Sequence, residues 1–435
     1  MIPKITASTV YSKLGDNSSL VPLAIKDIAN SCGLTAASYM SGDNAEGKDR
    51  FIDEFGTQAI WLWGIPVYKK LLDIALFKQA KLDPEVDARI LKNKDILQTA
   101  KEMAPTESIK NSLKAVAENQ SKFKALTVAK FAASTILTAG TYLGLTKFRH
   151  NYTESKIKKD YFEKMKKQQM NGYNTENIPF SSAFSHVHKQ NKNSKNVAFT
   201  GGVQDFIFDP VKNLMLVDGA ITGERLTHAK NPQDFLGYVI KEGFFWAFMY
   251  FAGPTLSKAL EKFADQKGKS IDLDSRVIFG KDLEKAFNGK DSGIMPKQIQ
   301  EFKKAAKSDL ELYKFAVKPE NKNLIIKMAK DSGIITLADG SELVDTRKYI
   351  DLKELRGICD KAEKLFTQYK KSEQPLDEFL KSVRSLKKAS ILKNIGACIG
   401  ALGIIAPAIM LGLRKLNPDY QVRKDIEKKL ANQQA

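Results

Sequence analysis

Cysteine and histidine are scarce in this chain, which has three cysteines and four histidines among its 435 residues. Cys32, Cys359 and Cys398 lie far apart, are odd in number and show no C-x-x-C spacing. Disulfide frameworks and structural zinc sites need paired or clustered ligands, so the pattern argues against both.

Motifs that name a reaction are absent as well. The chain contains no G-x-S-x-G, no H-E-x-x-H and no glycine-rich loop followed by Lys-Ser or Lys-Thr. His186 and His188 fall in a polar stretch that is a poor frame for a metal. Asp351 and Glu354 fit a helix capping box better than a carboxylate pair. We therefore expect no catalytic residue, cofactor or metal, and a protein that is not an enzyme.

Acidic residues are comparatively few, because 69 Lys and Arg residues face 50 Asp and Glu residues and leave a net charge of +19. Such a balance favours anionic partners, and we expect anionic membrane lipids to be among them. Nucleic acid is not expected as a partner, since no basic stripe with interleaved aromatic residues appears. Residues 1–15 lack an apolar core, so no cleaved signal peptide is expected.

Long apolar runs are also few, and a mean hydropathy of -0.31 excludes a protein that is membrane-embedded throughout. A membrane span needs about 20 apolar residues. Ala125–Thr146 and Ile391–Leu413 meet this length, with Lys130 and Lys393 as their only charges. Both are predicted to be membrane helices. Because basic clusters follow both, both are predicted to end in the cytoplasm, which gives a multi-pass topology.

Two shorter apolar stretches cover 56–77 and 243–257, and they contain all three tryptophans of the chain. Each contains a proline, Pro66 or Pro254, next to aromatic residues that favour a membrane interface. A proline inside a helix bends or ends it. These stretches are therefore predicted to be helices that either span the membrane or lie in its interface.

An internal repeat relates the two halves. An offset of 188 places Pro66 on Pro254 and Glu54 on Glu242, and an offset of 268 places Leu143-Gly144-Leu145 on Leu411-Gly412-Leu413. A weaker offset of 186 relates residues 26 and 33 to residues 212 and 219. The three matches occur in the same order in both halves, which favours a tandem duplication over chance.

These observations predict a mainly α fold, a helical membrane protein made by tandem duplication of a two-helix unit. The first unit covers 1–165, and a polar linker covers 166–196. The second unit covers 197–264 and 389–435, interrupted by a soluble α+β insertion at 265–388. Within the insertion, the Asp-Gly pair at 339–340 predicts a β-hairpin, and 296–315 and 347–371 predict amphipathic helices.

Two sets of candidate site residues follow. The predicted lipid head-group contacts are Lys147, Arg149, Lys158, Lys159, Arg414 and Lys415. The predicted helix-packing face consists of Ala129, Ala133, Gly140, Gly144, Ala397, Ala401, Ala408 and Gly412. Small residues allow the close backbone approach that helices use in lipid, so the two long helices are predicted to pack on each other.

Charged residues at the margins of the shorter helices have two interpretations. Glu54 with Lys70, and Glu242 with Lys258, either mark helix ends or bracket a polar site between the repeats.

The predicted role is a non-enzymatic integral membrane protein that binds lipid or partner proteins. A protein partner for the insertion and a homo-oligomer are further expectations. The alternative is a small-solute or ion transporter built from parallel repeats, although the firm spans contain no acid.

Overall fold

The computed structural model describes residues 7–15, 20–41, 44–170, 207, 209–227, 229, 232–288, 293–318, 323–328, 334–336, 342–416, 426–428 and 430–431. In these ranges the chain is mainly helical, as predicted, with one two-stranded sheet. The predicted linker at 166–196 and the histidines at 186 and 188 lie largely outside them; only the first residues of the linker, up to Met170, are described.

Seven helices form the described part of the first half. They are α1 (Ala7–Leu14), α2 (Leu20–Met40), α3 (Asn44–Ala59), α4 (Ile65–Leu72), α5 (Lys94–Glu102), α6 (Glu107–Glu118) and α7 (Gln120–Met170). π-helical turns at Ile60–Gly64 and Asp73–Lys78 flank α4, and a 3-10 turn covers Ala88–Lys92. The stretch at 56–77 is therefore helical throughout, and the chain stays helical through Pro66.

The second half begins with α8 (Pro210–Thr227), α9 (Pro232–Trp246), a π-helical turn at Ala247–Phe251, and α10 (Ala252–Gln266). Short helices follow at α11 (Ser275–Ile278), α12 (Lys281–Phe287), α13 (Ile294–Ala305), α14 (Asp309–Val317) and α15 (Leu324–Met328). The last elements are β1 (Ile334–Thr336), β2 (Glu342–Val344), α16 (Leu352–Lys371), α17 (Leu376–Gly400), a π-helical turn at Ala401–Ile405, and α18 (Ala406–Leu416).

The predicted elements of the insertion are confirmed in their main features. β1 and β2 pair antiparallel with Ile334 opposite Val344, as a hairpin requires, and the Asp-Gly turn itself lies outside the described residues. Asp351 accepts hydrogen bonds from the backbone N–H groups of Lys353 and Glu354 and so caps α16. The helix predicted at 296–315 is instead two helices, α13 and α14, because Ser308 caps a new start.

A large apolar core joins the insertion to a part of the first half. Its buried side chains come from residues 77–123 and from residues 264–383, and the two segments are interleaved in one cluster. Arg347 also bridges them, since its Nη1 lies 2.9 Å from the Asp83 carboxylate. These two segments together are called the globular region. The insertion thus folds against the chain between the two apolar stretches of the first half.

The remaining helices form a helical bundle, which consists of α2, α3, α4, α7, α8, α9, α10, the end of α17, and α18. The long helix α7 packs against α3, α4 and α8, while α17, α18 and the π turn between them pack against α2, α9 and α10. Each long helix therefore contacts helices of both halves. Shorter helices thus lie between the two long helices in the bundle.

The bundle buries charged side chains beside two small apolar clusters, and it exposes large apolar side chains. Among the exposed large apolar side chains of the described chain, only Ile294 belongs to the globular region. Those on the bundle include Trp63, Val67, Leu71, Ile136, Leu137, Leu143, Phe251, Leu392, Ile404 and Ile405. Most buried charged side chains belong to the bundle instead. This polarity is the reverse of that in the globular region, which buries phenylalanine, leucine and isoleucine.

One helix in the described chain, Leu376–Leu413, is long and apolar enough to cross a membrane. The predicted span at Ala125–Thr146 lies in α7 and does not reach the same apolarity. Its threonines and Lys130 are the physical reason, and Lys130 forms an ion pair with Asp73. The predicted multi-pass topology is therefore not established by helix length and composition.

The closest helix crossing in the bundle joins α2 to the π turn before α18. A Cβ atom added at Gly33 would meet the backbone oxygen of Gly403 and would lie 2.7 Å from Pro407 Cγ. Gly403 in turn faces the backbone of Ala29. Because neither backbone can move without shifting its helix, only glycine fits at position 33.

Replacing Gly33 with alanine should lower the free energy of unfolding by about 1–3 kcal/mol, since the added methyl group overfills the crossing. Gly140→Ala is the matched control, because a Cβ there would meet nothing within 4 Å. The control should raise stability by about 0.5–1 kcal/mol through helix propensity alone. Denaturant unfolding of the purified chain measures both, and equal effects of the two variants would contradict the proposed crossing.

Candidate functional site

Helix α3 brings acidic side chains into the interior of the bundle. Asp53 and Glu54 follow Arg50 by three and four residues, so all three lie on one face of the helix. Asp53 is 1% exposed and Glu54 is 5% exposed. The Arg50 guanidinium lies 3.6 Å from the Asp53 carboxylate and 3.4 Å from the Glu54 carboxylate. Burial of these charges requires further cations from other helices.

Asp53 receives two of them from distant parts of the chain. Arg149 on α7 places Nη1 2.7 Å from Asp53 Oδ2, and Arg225 on α8 places Nη2 3.2 Å from the same oxygen. Burial alone would raise the pKa of Asp53, but the guanidinium groups of Arg149 and Arg225 outweigh it and hold that pKa far below its usual value. Asp53 therefore stays ionised.

Arg225 joins the two halves of the bundle. Its Nη1 lies 2.7 Å from Glu242 on α9, while its Nε donates to the Tyr142 hydroxyl on α7 at 3.0 Å. With Asp53 on α3, one guanidinium thus contacts side chains of three other helices. Burial would lower the pKa of Arg225, and the surrounding carboxylates reverse this effect and raise it. The side chain is a fixed positive charge at the centre of the bundle.

Lys241 supplies the second buried cation of α9. Its Nζ lies 2.7 Å from Glu54 Oε1 and 3.7 Å from Glu242 Oε1, and the residue is 4% exposed. Burial and the charge of Arg225 lower the pKa of Lys241, although both carboxylates oppose them. Burial would raise the pKa of Glu242, but Arg225 and Lys241 lower it. These residues form a network in which each carboxylate has a cation.

Two further carboxyl groups form no ion pair with any described residue. Asp27 on α2 accepts a hydrogen bond from Trp61 Nε1 at 3.0 Å, and Asp218 on α8 accepts one from the Tyr250 hydroxyl. Both residues are buried, at 7% and 8% exposure. Burial raises the pKa of Asp27 to about 7 and the pKa of Asp218 to about 8, and nearby carboxylates add to both shifts. These groups change charge close to neutral pH.

These groups surround a small enclosed cavity of about 30 Å³. Its charged lining consists of Asp27, Glu54, Asp218, Arg225, Lys241 and Glu242. The volume is enough for one water molecule or one small ion. The cavity lies where α2, α3, α8 and α9 meet, so residues of both halves contribute to it.

The hydrogen bonds around the cavity correspond between the two halves. Trp61 donates to Asp27 from the first π turn, and Tyr250 donates to Asp218 from the turn at 247–251. One helical turn earlier, Gln58 donates to the Ser31 hydroxyl at 2.7 Å, and Trp246 donates to the Thr222 hydroxyl at 3.0 Å. On α2 and α8 the corresponding residues are 191 positions apart rather than the 186 of the weaker sequence match. Gln58 on α3 and Trp246 on α9 are 188 positions apart.

The predicted lipid head-group contacts divide into two groups. Lys147, Lys158, Lys159 and Lys415 are exposed on α7 and α18. Arg149 is 6% exposed and pairs with Asp53 and Asp49, so it lies inside the bundle rather than on its surface. For Arg414 only the backbone is described.

The predicted packing face is mostly open. A Cβ atom at Gly140, Gly144 or Gly412 would meet no atom within 4 Å, and Ala129, Ala397 and Ala408 are exposed. Ala401 is buried and Ala133 is half-buried. The close approach of helices instead occurs at Gly33 and Gly403. The small residues of the predicted face are therefore not the ones that lie at this close approach.

Sequence reasoning identified part of the buried network. The interpretation of Glu54 and Glu242 as a polar site between the repeats agrees with their position, whereas Lys70 and Lys258 are exposed. Asp27, Asp53, Asp218 and Arg225 were not identified. An acid inside an apolar helical run, such as Leu-Val-Asp-Gly-Ala at 216–220, was the available signal.

The arrangement of these residues suits fixed buried charges and the binding of protons better than the making or breaking of covalent bonds. Among the described residues, no group of three His, Cys, Asp or Glu side chains is placed to hold a metal ion. The free cysteines Cys359 and Cys398 are buried away from the cavity lining. What the site offers is a balanced set of fixed charges and two carboxyls that can bind a proton.

Replacing Arg225 with methionine should lower the free energy of unfolding by about 3–5 kcal/mol, because Asp53 and Glu242 would each lose a buried cation. Arg356→Met is the matched control. Arg356 pairs with Asp309 at 2.7 Å on the surface, where an ion pair contributes at most about 1 kcal/mol. Urea unfolding of both variants tests the difference, and a similar small loss in both would show that the buried network is not essential.

Comparison of the chain with protein-family models, with curated proteins and with solved structures finds no match. A function for this fold must therefore be argued from the polarity of the bundle and from the residues around the cavity.

Proposed function

We propose that this chain is an integral membrane protein with a non-enzymatic role, and that its bundle holds the globular region at the surface of a bilayer. The observation that supports this proposal is the reversed polarity of the bundle. Soluble proteins rarely expose large contiguous apolar surfaces, and they seldom bury many charges in one place. In a membrane, by contrast, charged side chains face the interior of a bundle and pair with one another.

The proposed spans are Ile391–Leu413 and Ala125–Thr146. The first lies within the helix whose apolarity suits a membrane. The second exposes Ile136, Leu137 and Leu143 along one side and turns its threonines to its own backbone, where Thr138 bonds to the Ser134 carbonyl. An internal hydrogen bond of this kind lowers the cost of a hydroxyl in lipid. The repeat relates the two spans, so the proposed topology is multi-pass.

The residues next to the ends of the two spans support a proposal for the side of the membrane on which the globular region lies. Residues 77–123 precede the first span, and residues 264–383 precede the second, so the globular region adjoins the amino-terminal ends of both. The exposed lysines at 147, 158, 159 and 415 follow their carboxyl-terminal ends. Because positive charge collects in the cytoplasm, the globular region is placed on the opposite side.

A role for the exposed lysines follows from this arrangement. Helix α7 has 51 residues, a length of about 77 Å, whereas the hydrocarbon of a bilayer is about 30 Å thick. Its basic carboxyl-terminal part thus extends beyond the bilayer. Each lysine near an anionic surface contributes about 1 kcal/mol to binding. Lipid binding at the cytoplasmic side and a partner protein for the globular region together define the proposed scaffold role.

We expect the chain to remain in the membrane fraction after an alkaline carbonate wash, because its apolar exterior needs hydrocarbon. Sidedness is tested with Ser155→Cys and Asn111→Cys, both at exposed positions, in a Cys32→Ser background. A membrane-impermeant maleimide added to intact cells should label position 111 and leave position 155 unlabelled until the cells are opened. Release of the chain by carbonate would refute the membrane proposal, and equal labelling would refute the sidedness.

The second candidate function is an ion transporter, and the paired buried carboxyls favour it. Glu54 and Glu242, and likewise Asp27 and Asp218, occupy corresponding places around a cavity between the halves. Acids within a membrane bundle are typical of ion pathways, and parallel repeats are known in transporters. The sequence did not place acids in the firm spans, but neighbouring helices bring them into the same bundle.

If the chain transports protons, vesicles that contain it should dissipate an imposed pH gradient faster than empty vesicles. Asp218→Asn should abolish this activity because the group can no longer bind a proton. Asp209→Asn is the control, since Asp209 is half-buried at the start of the same helix, outside the cavity lining, and asparagine also caps helices. A pH-sensitive dye inside the vesicles gives the measurement. Equal rates with and without protein leave the scaffold as the supported role.

A further inference from the structure

The charges that line the cavity do not balance when every group is ionised. Asp27, Glu54, Asp218 and Glu242 supply four negative charges, and Arg225 and Lys241 supply two positive charges. Lys26, although buried next to Asp27, faces Gly253 and Asn394 and is not part of the lining. The lining of this cavity of about 30 Å³ therefore carries two more negative charges than positive charges, and outside the lining Arg50 also pairs with Glu54. A buried charge without compensation costs far more free energy than binding a proton at neutral pH.

The contacts identify which carboxyls are uncompensated. Glu242 lies 2.7 Å from Arg225, and Glu54 lies 2.7 Å from Lys241. Among the described residues, the side-chain donors to Asp27 and Asp218 are the neutral groups of Trp61 and Tyr250. The two groups without a cation are thus the two that correspond between the halves.

We propose that this cavity is a proton-binding site in which Asp27 and Asp218 hold the two protons that neutralise its lining. The site includes one carboxyl from each half of the bundle. The proposal deepens the second candidate function by naming the proton as its ion, and its role in transport rests on that function. Proton binding itself depends only on the geometry of the bundle.

The surroundings of both carboxyls favour the protonated form. The groups that face them are Glu54 on α3, Arg225 on α8, and Lys241 and Glu242 on α9. Each cation is already engaged by a carboxylate of its own, so its effect on the two aspartates is largely offset. Arg149 on α7 contacts Asp53 instead. Burial therefore remains the largest influence on both pKa values.

A metal ion is a poorer occupant than a proton. Monovalent and divalent metal ions need several oxygen ligands around one point. One oxygen of each aspartate is engaged by Trp61 or Tyr250, and Glu54 and Glu242 are engaged by cations. A proton, by contrast, needs only one oxygen atom, and the second carboxyl oxygen of each aspartate can bind it.

The test is infrared spectroscopy of the full chain in detergent across pH 5 to about 9. Surface carboxyls are ionised above pH 6, so a carboxylic C=O band that persists at neutral pH reports buried protonated groups. Two such components are expected in the natural chain, lost one at a time in Asp27→Asn and Asp218→Asn. Asp209→Asn should retain both.

Thermal unfolding provides a second measurement. A carboxyl with a raised pKa in the folded chain binds its proton more tightly than in the unfolded chain. Its contribution to stability therefore falls as pH rises from about 4 to about 8. Asp218→Asn removes this loss, so its Tm relative to the natural chain should be higher at pH 9 than at pH 5.

The outcomes separate the proposals. The proton site is overturned if the natural chain shows no carboxylic band at neutral pH, and this measurement needs no variant. It is also overturned if the band is unchanged in both Asp27→Asn and Asp218→Asn. Stabilisation by sodium in place of a carboxylic band overturns it in favour of a metal ion. Release of the chain by carbonate, with the band intact, removes the membrane function and leaves the proton site standing.

Discussion

The buried ion pairs of Asp53 with Arg149 and Arg225 are the interactions on which the bundle depends. Their donors and acceptors lie on α3, α7 and α8, so no helix of this group can move without separating a buried charge from its partner. The desolvation of these charges is expensive, and only complete pairing offsets it. The network therefore specifies one arrangement of helices more strongly than apolar packing would, because apolar contacts tolerate small shifts in register.

This constraint explains the division of the chain into two regions of opposite polarity. In the globular region, Leu113, Phe302 and Leu355 are buried in an apolar core, and charged residues lie outside. In the bundle, the charges occupy the interior and leave apolar side chains for the exterior. A chain that builds both regions needs two environments, and the proposed location at the surface of a bilayer would provide them. The same arrangement explains a high net charge beside long apolar helices.

The cavity between the halves is a consequence of incomplete pairing. Arg225 and Lys241 are paired with carboxylates at the wall of the cavity. Asp27 and Asp218 have no cation, so their charge depends on pH. A bundle with both kinds of group combines a rigid frame with a centre that responds to protons. This combination is what distinguishes the site from an ordinary structural network of ion pairs.

The sequence by itself determined the helical content, the hairpin at 334–344, the cap at Asp351 and the apolar stretches, because each depends on local propensity or on spacing along a few turns. It also indicated that Glu54 and Glu242 occupy related places. The tertiary structure alone decided that Arg149 turns inward, that Gly33 rather than Gly140 lies at a close crossing, and that residues 77–123 share a core with the insertion. These features join residues that are far apart in the sequence, such as Gly33 and Gly403, and no local pattern contains the free energy of such contacts.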